Sequence, residues 1–292
     1  MISRLTGNQL GALLMVGSMA GFTLNDGMVK LAGQSLPLSQ ILVVRGAVVS
    51  LLIYGLARAY GGLRLTIGRR DWGLVAVRSL AEVATTYFFL SALLTLPIAN
   101  VTAILQMLPL TVTLAAVVLF GERVGWRRAL AIGAGFLGML LIVRPGPDGF
   151  DTGTFYALAA VFCITARDLF TRRMSAEVPS LTVTLMAAIS VLVFGLGLGT
   201  QEDWQPLTIT TTLILLLAAL LIFAGYLFSV MVMRVGDVAA VAPFRYTGLL
   251  WALLLGWFLF GNWPDALTLL GAAIVVAAGV FSLLRERPRR RL

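Results

Sequence analysis

Residues 99–121, ANVTAILQMLPLTVTLAAVVLFG, are long and apolar enough to cross a bilayer, and a relative of them returns at 239–261 as AAVAPFRYTGLLWALLLGWFLFG. A hydrocarbon core about 30 Å thick needs about 20 apolar residues in a helix. Aligned without gaps, the two stretches share Ala99/Ala239, Val101/Val241, Leu110/Leu250, Leu114/Leu254, Leu119/Leu259, Phe120/Phe260 and Gly121/Gly261. A segment that only had to sit in lipid has no use for Gln106 and Pro109, or for Pro243, Arg245 and Tyr246. The duplication of a polar-studded span restricts the chain to a membrane protein built from repeats.

Ten spans can be read, each bounded by charges, Pro or Gly clusters: 8–31, 38–59, 72–94, 98–119, 124–143, 153–172, 179–198, 208–232, 239–259 and 266–284. With 59% hydrophobic and 12% charged residues, the chain is far from soluble-domain usage, where roughly a quarter of residues are charged. The opening MISRLTGNQLGALL runs into the first span without a small-residue cleavage pattern, so that span is expected to be retained. Arginines alternate between connections. Arg4, Arg58, Arg64, Arg69, Arg70, Arg123, Arg127, Arg128, Arg172, Arg173, Arg234, Arg285, Arg287, Arg289, Arg290 and Arg291 lie on one side, and Arg144 on the other. The positive-inside rule then puts both termini in the cytoplasm. The expected location is a bacterial inner membrane, and the net charge of +9 reflects loop arginines, not a nucleic-acid surface.

The repeat extends over the whole chain. Gly11, Asp26, Lys30 and Pro37 match Gly153, Asp168, Arg172 and Pro179 at a constant offset of 142, and Gly133 fits Gly271. The prediction is an all-α polytopic membrane protein of ten transmembrane helices arranged as two inverted five-helix repeats, 8–143 and 153–284, joined by RPGPDGFDT. Five is odd, so the second repeat enters the membrane from the opposite face. Secondary transporters with this architecture place their substrate sites between the repeats.

Charges inside spans are costly and face the protein interior, pair, or line a wet cavity. They are Asp26, Lys30, Arg45, Arg78, Glu82, Arg167, Asp168 and Arg245. Positive groups outnumber negative ones, so a cavity shared by them favours a carboxylate or phosphate, which Arg binds as a fork. Arg78 with Glu82, and Asp26 with Lys30, are four apart and can also neutralise each other. Lys30, Arg167 and Asp168 lie near span ends, where snorkelling is the simpler reading. Arg45 and Arg245 have no acid on their own helix and are the first candidates for cargo binding, with a bridge from Arg45 to Asp26 as the alternative. Gln106, Tyr246, Asp26, Arg78, Tyr87 and Trp251 complete the candidate binding set. Glu82, Asp26 and Asp168 are the coupling candidates, because a proton-coupled carboxylate must change protonation between access states. Pro109 and Pro243 remove backbone bonds inside spans and are candidate hinges. Trp72, Trp126, Trp204 and Trp263 read as interface anchors, and the glycine runs as places of close helix contact.

The chain has a single cysteine, Cys163, and no histidine. No metal site, cofactor or enzymatic constellation is expected. With no GxxxxGK[ST] loop to bind ATP, uphill transport must draw on a proton or other ion gradient or on a counter-substrate.

The run ALLTLPIANVTAILQMLPLTVTLAAVVLFGERVGWRRALAIGAGFLGMLLIVRPG at 92–146 resembles the drug/metabolite transporter superfamily, in particular its EamA-type members. Those show an Ala-Leu-x-x-x-Pro-x-Ala opening, a mid-span Pro, a Gly-Glu-Arg end and a glycine-spaced following helix. The second copy departs from the pattern at Asn262, Trp263 and Leu249. The resemblance implies a secondary transporter of small polar metabolites, read here as amino acids or related carboxylates, in the export direction. The alternative is an importer of a larger nucleoside-like or flavin-like metabolite. A membrane scaffold or intramembrane enzyme is the rival of a different class. The partners are the small-molecule cargo and the lipid bilayer, with the chain acting as monomer or homodimer.

Overall fold

The computed structural model describes residues 7–59, 62–63, 65–121, 125–144, 151–175, 177–235 and 241–284. Glu122 and Arg123 of the Gly-Glu-Arg motif, residues 145–150 of the connector, Ala239 and Ala240 of the second copy, and the arginines at 4, 64 and beyond 284 lie outside the described residues. Among the described residues the regular structure is helical: α1 Gly7–Ala32, α2 Leu38–Ala59, α3 Arg69–Thr95, α4 Ile98–Leu105, α5 Leu108–Phe120, α6 Trp126–Val143, α7 Thr152–Arg173, α8 Ser180–Leu198, α9 Ile209–Val235, a 3₁₀ segment Ala242–Tyr246, α10 Thr247–Phe260 and α11 Ala266–Leu284. Counting α4 with α5 and the 3₁₀ segment with α10, these make ten spans, five per repeat. Eight are long and apolar enough to cross a membrane, and Ala129–Val143 and Ala266–Phe281 are shorter apolar helices.

The two related spans are both broken. Pro109 has no N–H to offer the carbonyl four residues back, so the chain turns at Gln106–Met107, with the Met107 N–H donating to Ile104 O at 3.1 Å. Pro109 then sits in the first turn of α5, where its missing N–H costs nothing. In the second copy Pro243 likewise sits in the first turn of the 3₁₀ segment. Gln106 and Tyr246 hold equivalent places, 140 residues apart, and the Gln106 Nε2 donates to Tyr246 O at 3.4 Å, linking the two breaks. Both spans also end alike. Gly121 and Gly261 each take φ 64° after the last helical residue, a left-handed conformation that any Cβ would oppose.

The packing divides the chain into two compact units that interleave the repeats. One takes the start of α1 up to Thr23, then Pro97–Asp151 and everything from Gly225 onward, and the other takes Leu24–Leu96 and Thr152–Ala224. In the first, α6 packs on α11 and α4 on α10. A Cβ on Gly138 would meet the Gly271 carbonyl oxygen at 2.9 Å, so these glycines let two backbones touch. Leu110, Ile132 and Ala278 form one apolar cluster there, and Met15, Val232 and Val241 another. The Ser18 hydroxyl ties α1 to α9 by donating to Gly225 O at 2.8 Å. The Arg144–Asp265 ion pair joins the end of α6 to the start of α11, where Asp265 Oδ1 also accepts from the Thr268 N–H at 2.8 Å and so caps α11.

In the second unit α3 packs on α7 and α8, and α2 on α8. Val49, Ile53, Leu185 and Ala219 fill its middle, and Val75, Val178 and Val183 one end. The start of α2 is strapped by residues 202–205. Glu202 accepts from the Ser39 N–H at 3.0 Å, and Gln40 and Gln205 exchange bonds of 2.8 and 3.0 Å. Trp204 donates to Ser39 Oγ at 3.0 Å, so this half-exposed indole fastens a loop to a helix as well as standing at a span end.

Candidate functional site

The second unit holds most of the intramembrane charge. Asp26 faces α2, where Arg45, only 8% exposed, donates through Nη1 to Asn25 Oδ1 at 3.2 Å. Asn25 in turn donates through Nδ2 to Asp26 Oδ1 at 2.9 Å, and the Arg45 charge attracts that carboxylate. The amide thus relays between cation and anion, a link that sequence reasoning missed because asparagine carries no charge to flag it.

A second cluster joins α3 to α7. Glu82 pairs with Arg78 on its own helix at 3.3 Å and with Arg167 across the helix interface at 3.4 Å. Arg167 also forks onto Asp168 Oδ1 through Nε at 3.0 Å and Nη2 at 2.9 Å. Two cations and two anions close into a neutral chain. The expected Arg78–Glu82 pair is present, but it is not self-contained. The snorkelling readings are corrected for two residues. Arg167 turns inward to bridge two helices, because a carboxylate in a low-dielectric interior attracts it more than a distant interface does. Lys30 donates to Leu93 O at 2.5 Å and Leu96 O at 2.8 Å, satisfying carbonyls that the end of α3 leaves without helical partners. Nε and Nη1 of Arg78 and the hydroxyl of Thr85 are buried with no protein partner among the described residues, and so remain available to water or cargo.

Tyr87 lies at the centre of an aromatic group, with ring centroids 5.5 Å from Phe88, 6.3 Å from Tyr156 and 5.9 Å from Phe194, all edge-on. Edge-to-face rings of this kind form a wall that accepts a further flat ring.

The first unit holds Gln106, Pro109, Pro243, Arg245, Tyr246 and Trp251. Gln106 and Tyr246 meet at the two breaks. Tyr246 is buried, and its hydroxyl, unpaired among the described residues, fills the space a Cβ on Gly279 would need. Arg245, in the 3₁₀ segment, is exposed, and Trp251 is half-buried on α10. The candidate residues therefore fall into an Asp26–Arg45 group, a Glu82 group and a helix-break group. Among the described residues there is no group of three or more Cys, Asp and Glu side chains placed to hold a metal ion.

A sequence profile of the EamA-like transporter family matches residues 9–144 and again residues 151–284. The riboflavin transporter of Rhizobium johnstonii is 29% identical over 203 residues, covering 70% of this chain and 67% of that protein. The S-adenosylmethionine uptake transporter of Rickettsia prowazekii is 24% identical over 195 residues, 65% of each chain. The pseudopaline exporter of Pseudomonas aeruginosa is 27% identical over 280 residues, covering 92% of this chain and 94% of the exporter. One solved crystal structure superposes with a TM-score of 0.63 at 17% identity, covering 92% and 94% of the two chains, which is a likeness of fold.

Proposed function

Because the chain belongs to the EamA-like transporter family, we propose that it is a secondary active transporter of the bacterial inner membrane, moving a polar metabolite that carries a carboxylate or similar anionic group. The observation that carries this reading is that both related spans depart from regular α-helix where the equivalent residues Gln106 and Tyr246 meet. Broken helices expose backbone groups at membrane depth, and these are tolerated where they are buried in protein or line a cargo path. Pro109 and Pro243 act as the hinges of those breaks. Arg45 in one unit and Arg245 in the other are the candidate cations for the anionic group, with Asp26, Arg78 and Tyr87 as the further candidate contacts in the unit that holds Arg45, and Gln106, Tyr246 and Trp251 in the unit that holds Arg245. The driving force is a proton or a counter-substrate, with Glu82, Asp26 and Asp168 as the groups that can exchange a proton.

Within that class, the cargo is read as an amino acid or related carboxylate, moved outward. A second reading, import of a larger flavin-like or nucleoside-like metabolite, is favoured by the names of the riboflavin and S-adenosylmethionine relatives and by the aromatic wall around Tyr87. Counterflow in proteoliposomes with labelled amino acids, riboflavin and S-adenosylmethionine, each offered alone, separates the two. The first reading expects exchange of a carboxylate-bearing amino acid that stops when the carboxylate is esterified. Exchange indifferent to esterification removes the anion-binding role, and absence of movement of every solute in a metabolite pool removes the transport reading itself.

A further inference from the structure

In the first unit the seam between α6 and α11 is tight at Gly138 and Gly271 and opens toward the start of α6 into an apolar groove of about 550 Å³. Ala131, Ala134 and Ala278 form its floor, and Trp126, Leu130 and Phe281 its walls. Its one charged lining residue is Arg127, whose guanidinium lies 5.2 Å from the centre of the Trp126 ring. We propose that this groove binds an anionic phospholipid, one acyl chain lying along the alanine floor and the headgroup phosphate resting on Arg127.

The dimensions and the charge both favour that occupant. Arg127, Ala131 and Ala134 fall at i, i+4 and i+7, one stripe of α6, so the cation stands at the end of the floor about 10 Å from Ala134. An acyl chain is narrow enough to lie between walls one side chain high, whereas a helix about 10 Å across is not. The charged end of the groove coincides with the N-terminus of α6. Gly125 there provides no side-chain cap, so uncapped first-turn N–H groups lie at the same end of the helix as Arg127, and both favour phosphate. The arginine distribution assigns this end to the cytoplasmic face, the leaflet surface that carries anionic lipid. Trp126, 68% exposed, stands where indoles anchor at the headgroup level.

Native mass spectrometry of the full chain in detergent, titrated with phosphatidylglycerol or phosphatidylcholine of identical acyl chains, tests this. Wild-type protein should hold phosphatidylglycerol about fivefold more tightly, the scale expected of one basic residue near an anionic headgroup. Arg127→Gln should abolish that preference, Ala134→Phe should weaken both lipids by filling the floor, and Arg70→Gln, at the start of α3, should change nothing. An undiminished preference in Arg127→Gln overturns the proposal. So does an Ala134→Phe variant whose lipid binding is intact but whose oligomeric mass by light scattering has changed, since the groove then seats a second copy of the chain. If Ala134→Phe fails to fold, Arg127→Gln decides alone.

Discussion

Asn25–Asp26 in α1 and Arg167–Asp168 in α7 occupy the same place in the two repeats, 142 residues apart, and the local geometry is the same: each aspartate accepts a bond from the residue just before it. The identity of that preceding residue makes the difference. Asn25 is neutral, so a compensating charge comes from Arg45 on a neighbouring helix, reached through the buried Arg45–Asn25 bond. Arg167 is itself the cation, so Asp168 is satisfied locally and the guanidinium has a nitrogen left to reach Glu82 on α3. The first arrangement depends on a neutral amide to relay between its two charges. In the second, Glu82 and Arg167 each have two partners, so a change at Arg78 or Asp168 leaves the central pair in place. A carrier needs a group whose charge can change without unfolding the protein, and the Glu82 cluster meets that condition better.

The largest effect expected from this contrast is at Arg45. Arg45→Gln leaves a buried carboxylate uncompensated, and removing one partner of a buried pair costs about 3–5 kcal/mol, visible as a lowered melting temperature in detergent. Adding Asp26→Asn should return most of that stability without returning transport. A double variant no more stable than the single one would show that Arg45 and Asp26 do not answer each other. Glu82→Gln should cost less, about 1–3 kcal/mol, because the amide still accepts one N–H while two arginines lose their anion. If Glu82 carries the coupling proton, the variant also loses accumulation driven by a pH gradient and keeps exchange. Intact driven uptake together with intact stability would leave neither role for this residue. Asp168→Asn should be milder still, under about 1 kcal/mol, since Asp168 is 37% exposed and Arg167 keeps Glu82. A loss as large as that of Arg45→Gln would erase the distinction between the clusters.

The smallest effect belongs to a pair outside the spans. The Arg144 guanidinium, and after it the Thr268 N–H, hold the Asp265 carboxyl at about 2, below its ordinary 3.8. Its folded value lies below its unfolded one, so its contribution to stability is complete above pH 3.8 and disappears as pH falls through about 2. Asp265→Asn should therefore melt slightly below wild type by the same margin from pH 5 to 8. A margin that grows or shrinks across that range would place the titrating partner elsewhere.

Much of this protein is legible in its residues one stretch at a time. Apolar runs bounded by arginine, proline and glycine mark the ten spans to within about three residues, because a bilayer demands a continuous helix of fixed length from each run taken alone. The duplication and the kink at Pro109 are equally local, since each is read from residues within a single stretch. The pairing of the charges is not. A lone Lys30 or Arg167 near a span end has the same neighbours in sequence whether it reaches for headgroups, for the carbonyls of Leu93 and Leu96, or for Glu82 eighty-five residues away. Asn25 gives no sign of being a relay until Arg45 is beside it. Packing decides these cases: a side chain in a medium of low dielectric takes the partner nearest in space, and helices distant in the chain supply that partner.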